Sequence, residues 1–229
     1  MKYPEFEKVI SSARMSRYLI ACGGNTQKAM VLYRYNLRLS QELFTVISCF
    51  EVALRNAIND KCILNLGDEW LHNGVSRGGI FDNLNCSLTS KNINEAITKL
   101  HHNYSHNKLV AELGFGFWRF IFAKHQYKAT GRNLLAVFPN KPTSTPTMQY
   151  NHTYIFNELT KINDLRNRIA HHEPICFQIS HSVKNTFYVR ENYALIQKLF
   201  KWMSINYVDL MYGLDHVDEI CTKIDNMVI

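Results

Sequence analysis

The feature that most constrains this chain is an apolar rhythm in IFNELTKINDLRNRIAHHEPI, residues 155–175. Ile155, Leu159, Ile162, Leu165 and Ile169 follow at spacings of four, three, three and four. That is one face of an α-helix and does not fit the alternation of a strand. Thr153 or Asn157 is the expected cap at its start. Pro174 is expected to stop it, since proline lacks the amide proton and disfavours helical geometry in the residue before it. The last two turns hold Arg166, Asn167, Arg168, His171, His172 and Glu173. Cations suit the negative end of a helix dipole, which accounts for the arginines better than for two adjacent imidazoles.

Similar rhythms recur elsewhere. A short helix is expected over 9–20, closed by the glycines of CGGN. The longest periodic segment, 27–65, puts Leu43, Ile47, Phe50, Leu54, Ala57 and Cys62 close to one stripe, with Ser40 the point at which it would divide. Further helices are expected over 92–106, over 109–126 across GFGFW, and over 191–207 with Leu195, Leu199 and Met203 on one face. Residues 67–85 are rich in glycine, asparagine and aspartate and read as a loop, as does the proline-rich PNKPTSTPT. Residues 177–189 read as an irregular excursion or a short hairpin. There is no internal repeat. The fold class is all-α, and 229 residues suffice for one substantial core.

Composition narrows the function classes. A net charge of +7 favours an anionic partner, nucleic acid being the commonest. Six cysteines are scattered without a CxxC or a metal-like spacing, and the first ten residues carry charge where a signal peptide would be apolar. Both point to reduced thiols in a cytoplasmic protein. No apolar run is long enough to span a bilayer. With no Walker loop, GxSxG or dinucleotide fingerprint, no cofactor is expected.

The chemistry concentrates in RNRIAH, an arginine and a histidine five positions apart. Five residues turn an ideal helix by about 140°, so Arg166 and His171 do not stack along one stripe. An imidazole titrating near neutrality can take a proton from a ribose 2′-hydroxyl or give one to a leaving oxygen. A guanidinium can hold a phosphate in a planar fork and stabilise the charge of a pentavalent transition state. The plainer reading is a solvated, cation-rich helix end. In FEVALRNAI, Glu51 and Arg55 stand four apart in the order that supports a helical ion pair, with Asn56 beside them. His102 and His106 have a spacing that binds metal on a helix, but HHNYSH offers no third ligand and reads as a polar face. The aromatics of ELGFGFW read as core, with Gly114 and Gly116 allowing close backbone approach; base stacking on Trp118 is the alternative.

Three stretches, MSRYLIACGGNTQKAMVLYRYNLRLSQELFTVISCFEVALRNAI, ELGFGFW and INDLRNRIAHHEPI, occur in this order and resemble the bacterial Abi-like (abortive infection) family. That family is similar to the HEPN superfamily of all-α proteins, whose signature is R, a polar residue, a short spacer and H. The resemblance implies one HEPN-like helical bundle with additional helices: an elaboration at 1–40 and a core at 41–207. It implies an RNase site at Arg166, Asn167 and His171, with Glu51, Arg55, Asn56 and His172 in support. His172 also offers a spacer of five; the R-x4-H count favours His171. Metal-independent cleavage by the RNA's own 2′-hydroxyl would leave 2′,3′-cyclic phosphate ends. A homodimer with a shared cleft is implied, as is a role in phage defence, as a toxin restrained by a small-RNA or protein antitoxin. The alternative is a non-catalytic RNA-binding or regulatory module.

Overall fold

The computed structural model describes residues 1–228. It is all-α. The one β-type pairing among the described residues is an isolated antiparallel bridge between Phe177 and Lys184. In chain order the helices are α1 (Tyr3–Ile10), α2 (Ser12–Ala21), α3 (Thr26–Leu66), α4 (Trp70–Val75), α5 (Ser87–Leu100) and α6 (His106–Glu112). They continue as α7 (Phe115–Phe120), α8 (Lys124–Ala129), α9 (His152–Ala170), α10 (Phe187–Trp202), α11 (Tyr207–Leu210) and α12 (Val217–Asp225). Among the described residues no helix is long and apolar enough to cross a membrane. The chain gathers into two compact units, and the division falls within α3, α9 and α10.

The first unit comprises Met1–Ser48, Asp164–Gln197 and the chain from Tyr207 onward. The single helix expected over 9–20 is instead two, because Ser11 adopts a φ of +82° and turns the chain between them. Its hydroxyl then accepts from the Arg14 N–H at 3.3 Å, capping α2. Gly23 and Gly24 both have positive φ and close α2, with the Gly24 N–H donating to the Leu19 carbonyl at 2.9 Å. Met15, Leu32, Leu39 and Leu43 are buried here with Leu165, Ile169, Val189, Ile196 and Ile220. Tyr18 meets the rings of Tyr33 and Phe177 edge-on, at 5.3 and 5.0 Å between centroids. The 177–189 stretch takes the hairpin-like option only as far as Thr186, through the one bridge and the bonds of the Gln178 N–H to the Val183 carbonyl and of the Asn185 N–H to the Cys176 carbonyl, both at 2.9 Å; Phe187–Val189 already belong to α10.

The second unit comprises Cys49–Asn163 and Lys198–Asn206. The α3 stripe continues through Phe50, Leu54, Ile58 and Cys62, so Ile58 takes the buried place expected of Ala57, which is only half-buried. Ile155, Leu159 and Ile162 are fully buried with Phe115, Trp118, Phe122 and Phe138. The expected loop over 67–85 contains α4, held by buried Trp70, whose indole N–H donates to Asn59 Oδ1 at 2.8 Å. The helix expected over 109–126 is three short ones, and the one expected over 92–106 ends at Leu100. A Cβ on Gly114 would meet nothing within 4 Å, and on Gly116 only Asn163 Oδ1 at 3.8 Å. Close approach is therefore not what these glycines serve: Gly114 is the N-cap of α7, its carbonyl accepting the Phe117 N–H at 2.9 Å, and nothing in the structure explains Gly116. The proline-rich stretch is an exposed loop, tied down where the Asn140 N–H meets the Trp202 carbonyl at 3.0 Å.

One buried carboxylate gives this unit a pH signature. Glu158 on α9 accepts from Lys161 at 2.6 Å and from Lys198 at 2.9 Å, and Lys198 lies 5.1 Å from the centre of the Trp202 ring. Burial raises its pKa, but the bonds from Lys161 and Lys198 outweigh that and leave it below the ordinary value of 4.5. A carboxyl depressed on folding stabilises the fold above its unfolded pKa, and that contribution disappears as pH falls through the folded value. Glu158→Gln is therefore expected to lower the melting temperature at pH 7, with the difference from the parent shrinking as the pH is taken down into the acid range. A difference independent of pH would show that the ion pairs are not its source.

Candidate functional site

α9 begins three residues before the apolar stripe. Asn151, not Thr153 or Asn157, caps it, accepting the Tyr154 N–H on Oδ1 at 3.1 Å. Its other end closes before Pro174 can act. The Glu173 N–H reaches back to the Arg168 carbonyl at 2.8 Å and the His172 N–H to the Ile169 carbonyl at 3.0 Å. With His172 at φ +57°, this is a Schellman ending with a histidine where glycine is usual. A side chain in the left-handed region costs about 1 kcal/mol, so His172→Gly is expected to raise stability by up to about that amount. Denaturant melts read this directly; a loss of stability would mean that the imidazole itself holds the turn.

The two arginines of the last turns have different fates. Arg168 is committed: Nε bonds Glu173 at 3.1 Å, Nη2 bonds the Pro174 carbonyl at 2.9 Å, and the guanidinium lies 5.0 Å from the centre of the Tyr188 ring. Arg168 is thus a structural clasp around the helix end. The side chain of half-buried Arg166 makes no hydrogen bond or ion pair among the described residues, nor do those of Asn167, His171 and His172. Both histidines are exposed. Asn167 and His171 have the four-residue spacing of one helical face, whereas the five-residue spacing of Arg166 and His171 corresponds to about 140° on an ideal helix; His171 itself is the first residue past α9.

A groove of about 470 Å³ lies beside the helix end, lined by Arg14 and Arg17 of α2 with His171, His172, Glu173 and Pro174. Both imidazoles line it, while Arg166 and Asn167 do not. Arg14 Nη1 donates to the His172 carbonyl at 2.6 Å, which holds the left-handed residue from outside. Arg17 is tied to the Gln178 carbonyl at 2.9 Å and to the His181 carbonyl, and lies 4.7 Å from the centre of the Phe177 ring. Sequence reasoning missed both α2 arginines. A separation of 158 residues between Arg14 and His172 leaves no local signal of their meeting.

Beneath the groove, buried Asn36 of α3 accepts the N–H of Ile175 at 2.8 Å and of Cys176 at 3.2 Å on one oxygen. This anchors the segment that leaves α9 and carries the histidines' C-terminal flank.

Glu51, Arg55 and Asn56 lie on α3 in the second unit. The expected Glu51–Arg55 ion pair is absent among the described residues, and Arg55 Nε is buried without a partner. A helical pair of this kind contributes only about 0.3–0.5 kcal/mol and does not dictate side-chain placement. His102 and His106 do not share a helix. His102 sits in a 3-10 turn, while buried His106 opens α6, 2.7 Å from Asn59 Oδ1. Among the described residues no group of three or more His, Cys, Asp or Glu could hold a metal. Trp118 is fully buried with its indole N–H on the Leu113 carbonyl at 2.7 Å, so it offers no ring for base stacking. No family model, characterised protein or solved structure matches this chain.

Proposed function

We propose that this chain is a metal-independent endoribonuclease of the HEPN type, acting in abortive-infection defence against phage. The observation that carries the reading is an uncommitted guanidinium, Arg166, five residues before a solvent-facing imidazole, His171, at the end of one helix whose other arginine is already engaged. Arg166 would hold the scissile phosphate through its planar fork. His171 would take the proton from the 2′-hydroxyl or return one to the leaving 5′-oxygen, and Asn167, four residues before His171, would hold the phosphate geometry. His172, Glu51, Arg55 and Asn56 are assigned supporting roles. Because His171 of one copy lines the groove and Arg166 does not, a homodimer in which two helix ends form one composite cleft suits the chemistry better than a monomer. The net charge of +7 suits an RNA substrate. In the cytoplasm such an activity needs restraint, for which a small-RNA or protein antitoxin is the proposed partner.

A non-catalytic RNA-binding module is the second reading, favoured by the absence of Arg166 and Asn167 from the walls of the His171 groove. One experiment separates the two. Purified protein is incubated with total RNA in EDTA and the product ends are analysed. Cleavage leaving 2′,3′-cyclic phosphate is expected; bound but intact RNA selects the binding module, and cleavage that requires a divalent metal removes the HEPN reading.

A further inference from the structure

We propose that the groove between α2 and the end of α9 binds a backbone phosphate of single-stranded RNA, next to the one being cleaved, with Arg14 as the residue that holds it. The proposal rests on the nuclease reading only for the identity of the occupant. Arg14 is exposed and spends Nη1 on the His172 carbonyl; its Nη2 and Nε donate to nothing among the described residues. A guanidinium fixed by one nitrogen and open along its other edge is a ready fork for phosphate oxygens. Arg17 adds a second positive charge to the wall, immobilised by the Gln178 and His181 carbonyls, so it contributes field without needing to move. The one carboxylate in the lining, Glu173, is engaged by Arg168 and does not cancel them.

The lining also says what the groove does not read. At about 470 Å³ it admits a phosphate and its ribose, and apart from the His171 and His172 imidazoles it contains no ring on which a base could stack. Contacts to the backbone alone position a strand without specifying its sequence. The groove therefore sets the register of the RNA against His171.

Arg14 has a structural bond as well as an open edge, so the test separates the two. Binding of a 2′-O-methyl oligoribonucleotide, which lacks the attacking hydroxyl and stays intact, is followed by fluorescence anisotropy across a salt series. Arg14→Gln keeps a neutral donor for the His172 carbonyl, and Arg14→Lys keeps the charge. Arg14→Gln is expected to bind roughly tenfold more weakly, because the lost bond is charge-assisted. Its plot of log affinity against log salt should be shallower by about 0.7, the contribution of one single-strand phosphate. Arg14→Lys should restore the slope and part of the affinity. Wild-type slope and affinity in Arg14→Gln overturn the proposal. So do equal losses in both variants with lowered melting temperature and unchanged slope, which is the signature of a purely structural arginine. Cleavage of unmodified RNA is assayed alongside. A parent that binds through Arg14 without cleaving keeps the groove and ends the nuclease reading, whereas one that cleaves with an Arg14-independent slope does the reverse.

Discussion

Arg166→Ala and His171→Ala should each reduce RNA cleavage by about two to four orders of magnitude while leaving the protein folded. Losing a positioned proton-transfer group or a charge-stabilising clamp typically costs that much. The fold leans little on either side chain, because that of half-buried Arg166 makes no hydrogen bond or ion pair among the described residues and His171 is exposed. Their melting temperatures should therefore stay near the parent's. Arg166→Lys should recover little, since an ammonium keeps the charge and loses the planar fork. Arg168→Ala is the informative contrast. It releases Glu173, the Pro174 carbonyl and the Tyr188 ring, so it should lose stability before it loses chemistry. His172→Gly removes an imidazole while relaxing a strained backbone position, and separates the two adjacent histidines without unfolding the turn. In cells, toxicity on expression should follow cleavage through the whole series. Full activity in a His171→Ala, His172→Ala double variant would end the assignment.

Helix class was legible because burial imposes its period on long elements. All five apolar positions from Ile155 to Ile169 are buried, and α3 runs on through Ser40 because Leu39 and Leu43 carry its buried face past that point. One serine costs a helix only tenths of a kcal/mol, too little to break a continuous apolar stripe. Elements shorter than two turns were not legible as separate helices: α4 falls in an expected loop, and α6, α7 and α8 stand where one helix is expected over 109–126. The six residues of α4 and of α7 are too few to show a period; burial of Trp70 and Trp118 forms them, and burial is a tertiary event. The end of α9 was misplaced for another reason. Pro174 is a visible stop signal, but the actual one is a backbone conformation at His172 that a histidine does not advertise. The candidate site divides in the same way. Arg166 and His171 are neighbours in sequence and could be picked out by type and spacing. Arg14, Arg17 and Asn36 reach the same helix end from distant segments, and no local pattern encodes which distant residues will meet.

Asn36→Ala should be the most damaging single substitution near the groove, although it touches none of the proposed chemistry. One side-chain oxygen satisfies the N–H groups of Ile175 and Cys176, and both of those residues are completely buried. Removing the acceptor leaves two buried donors without partners, at about 1–3 kcal/mol each, partly offset if a water enters. A net loss of about 2–4 kcal/mol is a large share of the 5–15 kcal/mol typical of a folded domain. In melting temperature that corresponds to roughly 4–16 °C. Asn36→Leu should do no better, because filling the space does not restore the acceptor. Hydrogen exchange localises the effect: the Ile175 and Cys176 amides should lose protection first. Cleavage should then fail at lower temperature than in the parent while remaining near normal in the cold, since His171 and His172 depend on this anchor for position, not for reactivity. An unchanged melting temperature with both amides still protected would show that another group takes over the two bonds. The helix end that presents the imidazoles would then be held by Arg14 and Arg168 alone.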